Sequence, residues 1–193
     1  LLIRDALLHA GDGQAPARGD LAVAQGRILA VGPGLSGRFA ETVEAGGHAL
    51  APGFIDVHTH DDAAALARGA MAPKLSQGVT CVVTGNCGIS LAPALPEGLA
   101  APVPPLDLLG GCDAFAFPDM ADYIAALQAA EADVHVAPLV GHTVLRLRAM
   151  GTDLARPATA AEIDAMRADL ARALEAGAIG LSTGLAYPPA RHA

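Results

Sequence analysis

Four short apolar, β-branched runs separated by helical or loop-like stretches constrain this chain more than any other feature. They are Phe54-Ile55-Asp56-Val57, Val79-Thr80-Cys81-Val82-Val83-Thr84, Val134 to Val140, and Ile179-Gly180-Leu181-Ser182-Thr183. Strands that alternate with helices imply a parallel sheet with right-handed crossovers, an α/β fold. The second run is almost continuously apolar and reads as a strand covered on both faces. A helix is predicted over 119–130, with Met120, Ile124 and Leu127 on one face. A clearer one is predicted over 159–176. There Thr159 followed by Glu162 fits a capping box. Ile163, Met166, Leu170 and Leu174 form its apolar stripe, and Gly177 stops it. Residues 93–113, rich in Pro and Gly, read as a loop. Four strands suit either a small open sheet or half of an eight-stranded barrel.

The first 50 residues are organised differently. Leu21-Ala22-Val23 and Arg27 to Val31 flank Ala24-Gln25-Gly26, a hairpin signal with glycine in the turn. Gly32-Pro33-Gly34 then breaks the chain. We expect a small antiparallel β unit over 1–50 and the strand–helix region over 51–193.

Composition narrows the function classes. Hydrophobic residues make up 52% of the 193 and charged residues 17%, which excludes wholesale disorder. The net charge of −8, without a basic run, argues against nucleic acid and against an anionic membrane surface as partners. No uninterrupted apolar run reaches the ~18 residues of a spanning helix. Three irregularly spaced cysteines make no disulfide framework, so a reducing compartment is expected. No signal peptide is seen at the start, and the expectation is a cytoplasmic protein. The chain opens on Leu1 rather than Met and runs out through Tyr187-Pro188-Pro189 to Ala193, which reads as a piece of something longer.

The candidate chemistry sits after the four runs. Gly53-Phe54-Ile55-Asp56-Val57-His58-Thr59-His60 sets two histidines two residues apart. On a strand, both would point to one face at its carboxyl end, where parallel α/β proteins build their sites. Neutral imidazole is a common Zn²⁺ ligand, and the acidic Asp61-Asp62 pair follows directly. Two solvated histidines at a loop entrance are the rival reading. Cys87, in Thr84-Gly85-Asn86-Cys87-Gly88-Ile89-Ser90, could be a reachable thiol beside a metal or a small buried hydrophobe. His142 in Gly141-His142-Thr143 could touch substrate or satisfy loop hydrogen bonds. Tyr187 in Gly184-Leu185-Ala186-Tyr187-Pro188-Pro189 could donate to a substrate carboxylate or carbonyl, or simply pack. Asp56 is a candidate to orient a histidine ring. That all four segments follow successive strands is more specific than any one of them.

These residues resemble the amidohydrolase superfamily through the Gly-Phe-Ile-Asp-x-His-x-His element. The set GFIDVHTHDD (53–62), GVTCVVTGNCGIS (78–90), GHTVLR (141–146) and GAIGLSTGLAYPP (177–189) is similar to its D-aminoacylase branch, the N-acyl-D-amino-acid deacylases. The resemblance runs the length of the chain. It implies a TIM-type (β/α)8 barrel, of which this is the N-terminal half, preceded by part of a small β domain built from both chain ends. It implies one or two Zn²⁺ ions, with His58, His60 and Cys87 as metal ligands. Tyr187 and His142 become substrate-binding candidates, and a small N-acyl amino acid becomes the substrate. The two further histidine ligands, the catalytic aspartate and the basic carboxylate-binding residues of the family match nothing here. No catalytic base is therefore assigned, and the fragment is expected to be inactive alone, needing the missing half or a partner. A dihydroorotase- or hydantoinase-like cyclic amidase is the alternative. Those enzymes use a bridging lysine after the second strand, whereas Lys74, the only lysine, precedes it. A truncated, non-catalytic chain is the other alternative.

Overall fold

The computed structural model describes residues 1–192, which divide into two compact units, Leu1–Gly53 and the residues from Phe54 onward. The first unit contains β1 (Leu2–Leu8), β2 (Ala17–Ala24), β3 (Arg27–Gly32), β4 (Thr42–Glu44) and β5 (Ala49–Leu50). The hairpin of β2 and β3 closes through Gln25 and Gly26, at φ 50° and 70°. Positive φ at both turn residues matches the right-handed twist of the strands they join. The purely antiparallel expectation is corrected. β1–β3 are antiparallel, but β4 and β5 pair with β1 in parallel. After the hairpin the chain crosses to the other edge of β1 and runs beside it in the same direction.

The second unit is a four-stranded sheet in the order β6 (Phe54–Asp56), β7 (Val79–Thr84), β8 (His135–Gly141), β9 (Gly180–Ser182), with every pair parallel. The helices are α1 (Ala72–Leu75), α2 (Met120–Ala129), α3 (His142–Met150) and α4 (Ala160–Ala176). Val140, Val144, Leu147, Tyr123 and Leu127 form the core beneath α2–α4, where each fully buried large side chain contributes about 1.5–3 kcal/mol. A smaller cluster of Met71, Val82 and Val134 lies under α1.

Several expectations change. β7 is not covered on both faces: Val82 and Thr84 are buried, Thr80 is exposed, and Cys81 and Val83 are half-buried. Among the described residues, Cys81 and Val83 join neither apolar cluster. In α4, Met166 and Ala173 are buried, whereas Ile163 and Leu174 remain exposed. The 93–113 loop is ordered by two 3-10 turns, the first of which buries Leu106 and Leu109. α3 is an addition to the sequence expectation, although Gly141 and Gly151 bracket it. Among the described residues, no helix is long and apolar enough to cross a membrane.

The capping box of α4 is formed in both directions: Glu162 N donates to Thr159 Oγ1 (3.3 Å) and Thr159 N donates to Glu162 Oε2 (2.7 Å). Arg156 adds a two-pronged contact of 2.8 and 2.7 Å to the same carboxylate and holds its pKa down at about 2. A carboxylate depressed from 4.5 stabilises the fold above the unfolded value and loses that contribution as pH falls through about 2. Glu162→Gln should therefore flatten the loss of thermal stability between pH 4.5 and 2. An unchanged acid limb in the variant would contradict this.

Candidate metal centre

β6 ends at Asp56, so His58 and His60 lie just beyond the strand rather than on it. Strict alternation, the basis of the expectation, stops where the ladder stops. Asp56 Oδ1 accepts a hydrogen bond from His58 N (3.2 Å), a turn that redirects the chain. Register pairs Asp56 with Val82, on the face packed against Met71 and Val134, while His58 turns to Cys87. Asp56 thus makes its hydrogen bonds to the His58 backbone and to Lys74 rather than to an imidazole ring. It anchors the backbone that carries the imidazoles.

Cys87 reaches the same place from the turn after β7. It sits at φ 56°, between Gly85 at 74° and Gly88 at 78°, a tight reversal that lifts the thiol off the strand end. His58 Nε2 lies 3.0 Å from Cys87 Sγ. The His58 and His60 rings are 5.8 Å apart and nearly perpendicular. One donor atom from each of His58, His60 and Cys87 falls within 4.8 Å of the others. A tetrahedral zinc bound at about 2.0–2.3 Å from each ligand holds its ligands about 3.3–3.7 Å apart, so the set is of the right size and chemistry. His60 Nδ1 is buried without a hydrogen-bond partner, as a group awaiting a further contact would be. Burial, then the neighbouring His58, lowers the His60 pKa and favours the neutral, ligating form.

The surrounding segments are stitched together by backbone and small hydroxyls. Ser182 Oγ accepts from Gly88 N (3.0 Å) and donates to Gly85 O. Ser90 Oγ accepts from Gly141 N (3.0 Å), and Thr143 N donates to Gly88 O (2.9 Å). A Cβ on Gly184 would stand 2.1 Å from Cys87 O and 2.7 Å from the Tyr187 ring, so glycine alone permits this approach. The Tyr187 segment thus packs on the Cys87 turn. Buried Arg146 holds it from behind, donating to Pro189 O (3.0 Å), Leu154 O (3.1 Å) and Arg156 O (3.0 Å). His142 opens α3 beside this turn, with Nδ1 buried and unpartnered; burial, then Arg146, lowers its pKa. Neither His142 nor Tyr187 joins the donor cluster itself.

Two features lie outside what the sequence motifs indicate. Asp62 is buried, accepts from Gly85 N (3.0 Å), and is pushed up to about 7, chiefly by burial. Lys74 Nζ contacts Asp56 Oδ2 (2.5 Å) and Asp61 Oδ2 (3.1 Å). Their shared signal is the acidic density at 56, 61 and 62, opposite a single lysine.

A parallel sheet with its polar site gathered at the strands' carboxyl ends defines an α/β protein of the kind that binds ligands there. Residues 41–193 match the amidohydrolase family, and the chain belongs to it. It is 52% identical to the N-acyl-D-aspartate deacylase of Alcaligenes xylosoxydans xylosoxydans over 98% of this chain and 37% of that protein. To the D-aminoacylase of the same organism it is 50% identical, over 100% of this chain and 39% of that protein. The crystal structure of a D-aminoacylase, described as defining a novel subset of amidohydrolases, superposes with a TM-score of 0.91 at 46% identity, covering 99% of this chain and 40% of that one. An N-acyl-D-glutamate deacylase from Bordetella bronchiseptica, complexed with zinc and a phosphonate inhibitor, gives 0.89 at 45% identity, covering 100% of this chain and 40% of that one. These relatives are hydrolases of amide bonds, and the chain spans about two fifths of their length.

Proposed function

We propose that this chain carries the metal-binding part of a zinc-dependent deacylase that removes the acyl group from N-acyl-D-amino acids. The observation that carries the reading is the convergence of His58, His60 and Cys87 at the carboxyl end of a parallel sheet. Two imidazoles and a thiolate suit Zn²⁺, and the set leaves room for further ligands and substrate. Zinc, when bound, supplies a Lewis acid that polarises the amide carbonyl and makes water nucleophilic near neutral pH. His58 and His60 serve as neutral imidazoles and Cys87 as the thiolate. Tyr187, on the segment packed against the Cys87 turn, donates its phenol to the substrate carboxylate, and His142 lines the approach. Lys74 is committed as an ammonium to two carboxylates, which disfavours a bridging-lysine, cyclic-amidase centre.

On this reading the four strands are the first half of an eight-stranded barrel, and the first unit is part of the small β domain. The sheet edges support it. Ile55 and Val57 at one edge and Ile179 and Leu181 at the other are exposed apolar side chains that further strands and helices would cover. The first unit leaves Ile28, Leu29 and Val31 exposed on β3 in the same way. A water-activating carboxylate and a cationic substrate clamp come from the remainder, so the 193 residues alone have no deacylase activity.

The test is complementation. The chain is assayed alone and co-expressed with the remaining part of the N-acyl-D-aspartate deacylase, using N-acyl-D-amino acids, their L-isomers and hydantoins. The expected result is no turnover alone and D-selective deacylation on co-expression. Hydrolysis of hydantoins but not of acyl-D-amino acids by the reconstituted protein would overturn the assignment.

A further inference from the structure

Lys74 is the only lysine of the chain, and neither the donor cluster nor the substrate contacts use it. It projects from α1 and is half-buried, as are both of its carboxylate partners. Its ammonium bridges Asp56 Oδ2 (2.5 Å) and Asp61 Oδ2 (3.1 Å) and reaches Thr59 Oγ1 (3.4 Å). Thr59 Oγ1 in turn donates to Asp61. The residues it holds, 56, 59 and 61, flank and separate His58 and His60.

The backbone between is held mainly at its ends, by His58 N donating to Asp56 Oδ1 (3.2 Å) and by Ala65 N donating to Asp61 O (2.9 Å). The strand has ended, and Thr59 N makes only a long 3.4 Å contact with Val83 O. Asn86 Nδ2 contacts Thr59 O at 3.3 Å. We propose that Lys74 is a positioning residue for the metal centre, a clamp that grips residues 56, 59 and 61 and so turns His58 and His60 toward Cys87. The clamp rests on the zinc reading above. Asp56 and Asp61 carry like charges and share one cation. Remove that cation and the two carboxylates repel in a half-buried setting where solvent screens them poorly. Each is within two residues of a histidine, so their separation displaces the imidazoles.

The experiment measures zinc affinity of the chain by competition with a chromophoric chelator, together with the visible spectrum of the Co²⁺-loaded protein. The cobalt spectrum reports thiolate and imidazole geometry directly and needs no turnover. Wild type is compared with Lys74→Met, Lys74→Arg and Cys87→Ala, and far-UV circular dichroism checks folding. Groups that orient metal ligands typically change affinity about 10- to 100-fold, and that loss is expected for Lys74→Met, with an altered cobalt spectrum. Lys74→Arg, whose guanidinium can still bridge two carboxylates, should restore most of the affinity. Wild-type affinity and spectrum in folded Lys74→Met would overturn the clamp while leaving the zinc site standing. If wild type binds no zinc, the zinc reading falls and the clamp with it. Should Lys74→Met fail to fold, Asp61→Asn decides. A several-fold weaker, spectrally shifted site supports the clamp, and an unchanged site overturns it.

Discussion

Replacing Cys87 by alanine should reduce bound zinc from near one ion per chain to background. Among the described residues, its thiolate is the only sulfur donor grouped with His58 and His60. Without it two imidazoles remain, both on a segment that has left the β ladder, and two neutral donors hold Zn²⁺ weakly. Cys81→Ala and Cys112→Ala are the matched controls. Cys81 is half-buried within β7, and Cys112 is exposed and weakly bonded to Leu99 O at 3.6 Å, so neither should lower the zinc content. The measurement is elemental analysis of the purified, metal-supplemented proteins. Affinity should also weaken as pH falls, because each donor must shed its proton to bind. Full zinc content in Cys87→Ala would show that the ion sits elsewhere and would remove the basis of the proposed function.

The second large effect is expected at Gly85. Its φ is 74°, and a Cβ there would stand 2.1 Å from Leu139 O and 2.9 Å from Leu139 C. Left-handed backbone costs a residue with a Cβ about 1–2 kcal/mol. The clash adds to that, because the obstacle is the β8 backbone and not a side chain that can swing away. Gly85 also donates to Asp62 and its carbonyl accepts from Ser182, so a shift breaks the stitching around Cys87. Gly85→Ala should lose more than about 4 kcal/mol, in the range reserved for severe packing faults. Gly151→Ala isolates the conformational part. That glycine has φ 62° and ψ −142°, a conformation residues with a Cβ rarely adopt, and a Cβ added there would meet nothing within 4 Å, so about 1–3 kcal/mol should be lost. Chemical denaturation of the two variants makes the comparison, and equal losses would mean that the close approach of β7 and β8 is not what Gly85 serves.

Much of the local structure is legible in the residues because its causes lie within a few positions. Thr159 and Glu162 cap α4 through atoms three residues apart. Gln25-Gly26 closes a hairpin through its own backbone angles. The run Val79–Thr84 is a strand with the bounds its composition suggests. The His-x-His pair and Cys87 are recognisable as donors by residue type and by their place after strands. α3 is less legible, since its burial of Val144, Leu145 and Leu147 depends on β8 and α4 lying alongside.

What the sequence determined by itself is therefore the inventory: strand and helix segments, their caps and turns, and the side chains able to bind a metal. Only the tertiary structure decided which of those side chains meet. His58 and Cys87 are 29 residues apart, Ser182 and Gly85 97, and their contacts exist because β6, β7, β8 and β9 lie side by side in one parallel register. It also decided that Asp56 pairs with Lys74, and that β4 and β5 run parallel to β1. Local sequence sets backbone preference through sterics and hydrogen bonds over a turn or two, whereas pairing partners are selected by burial and packing summed over the whole chain.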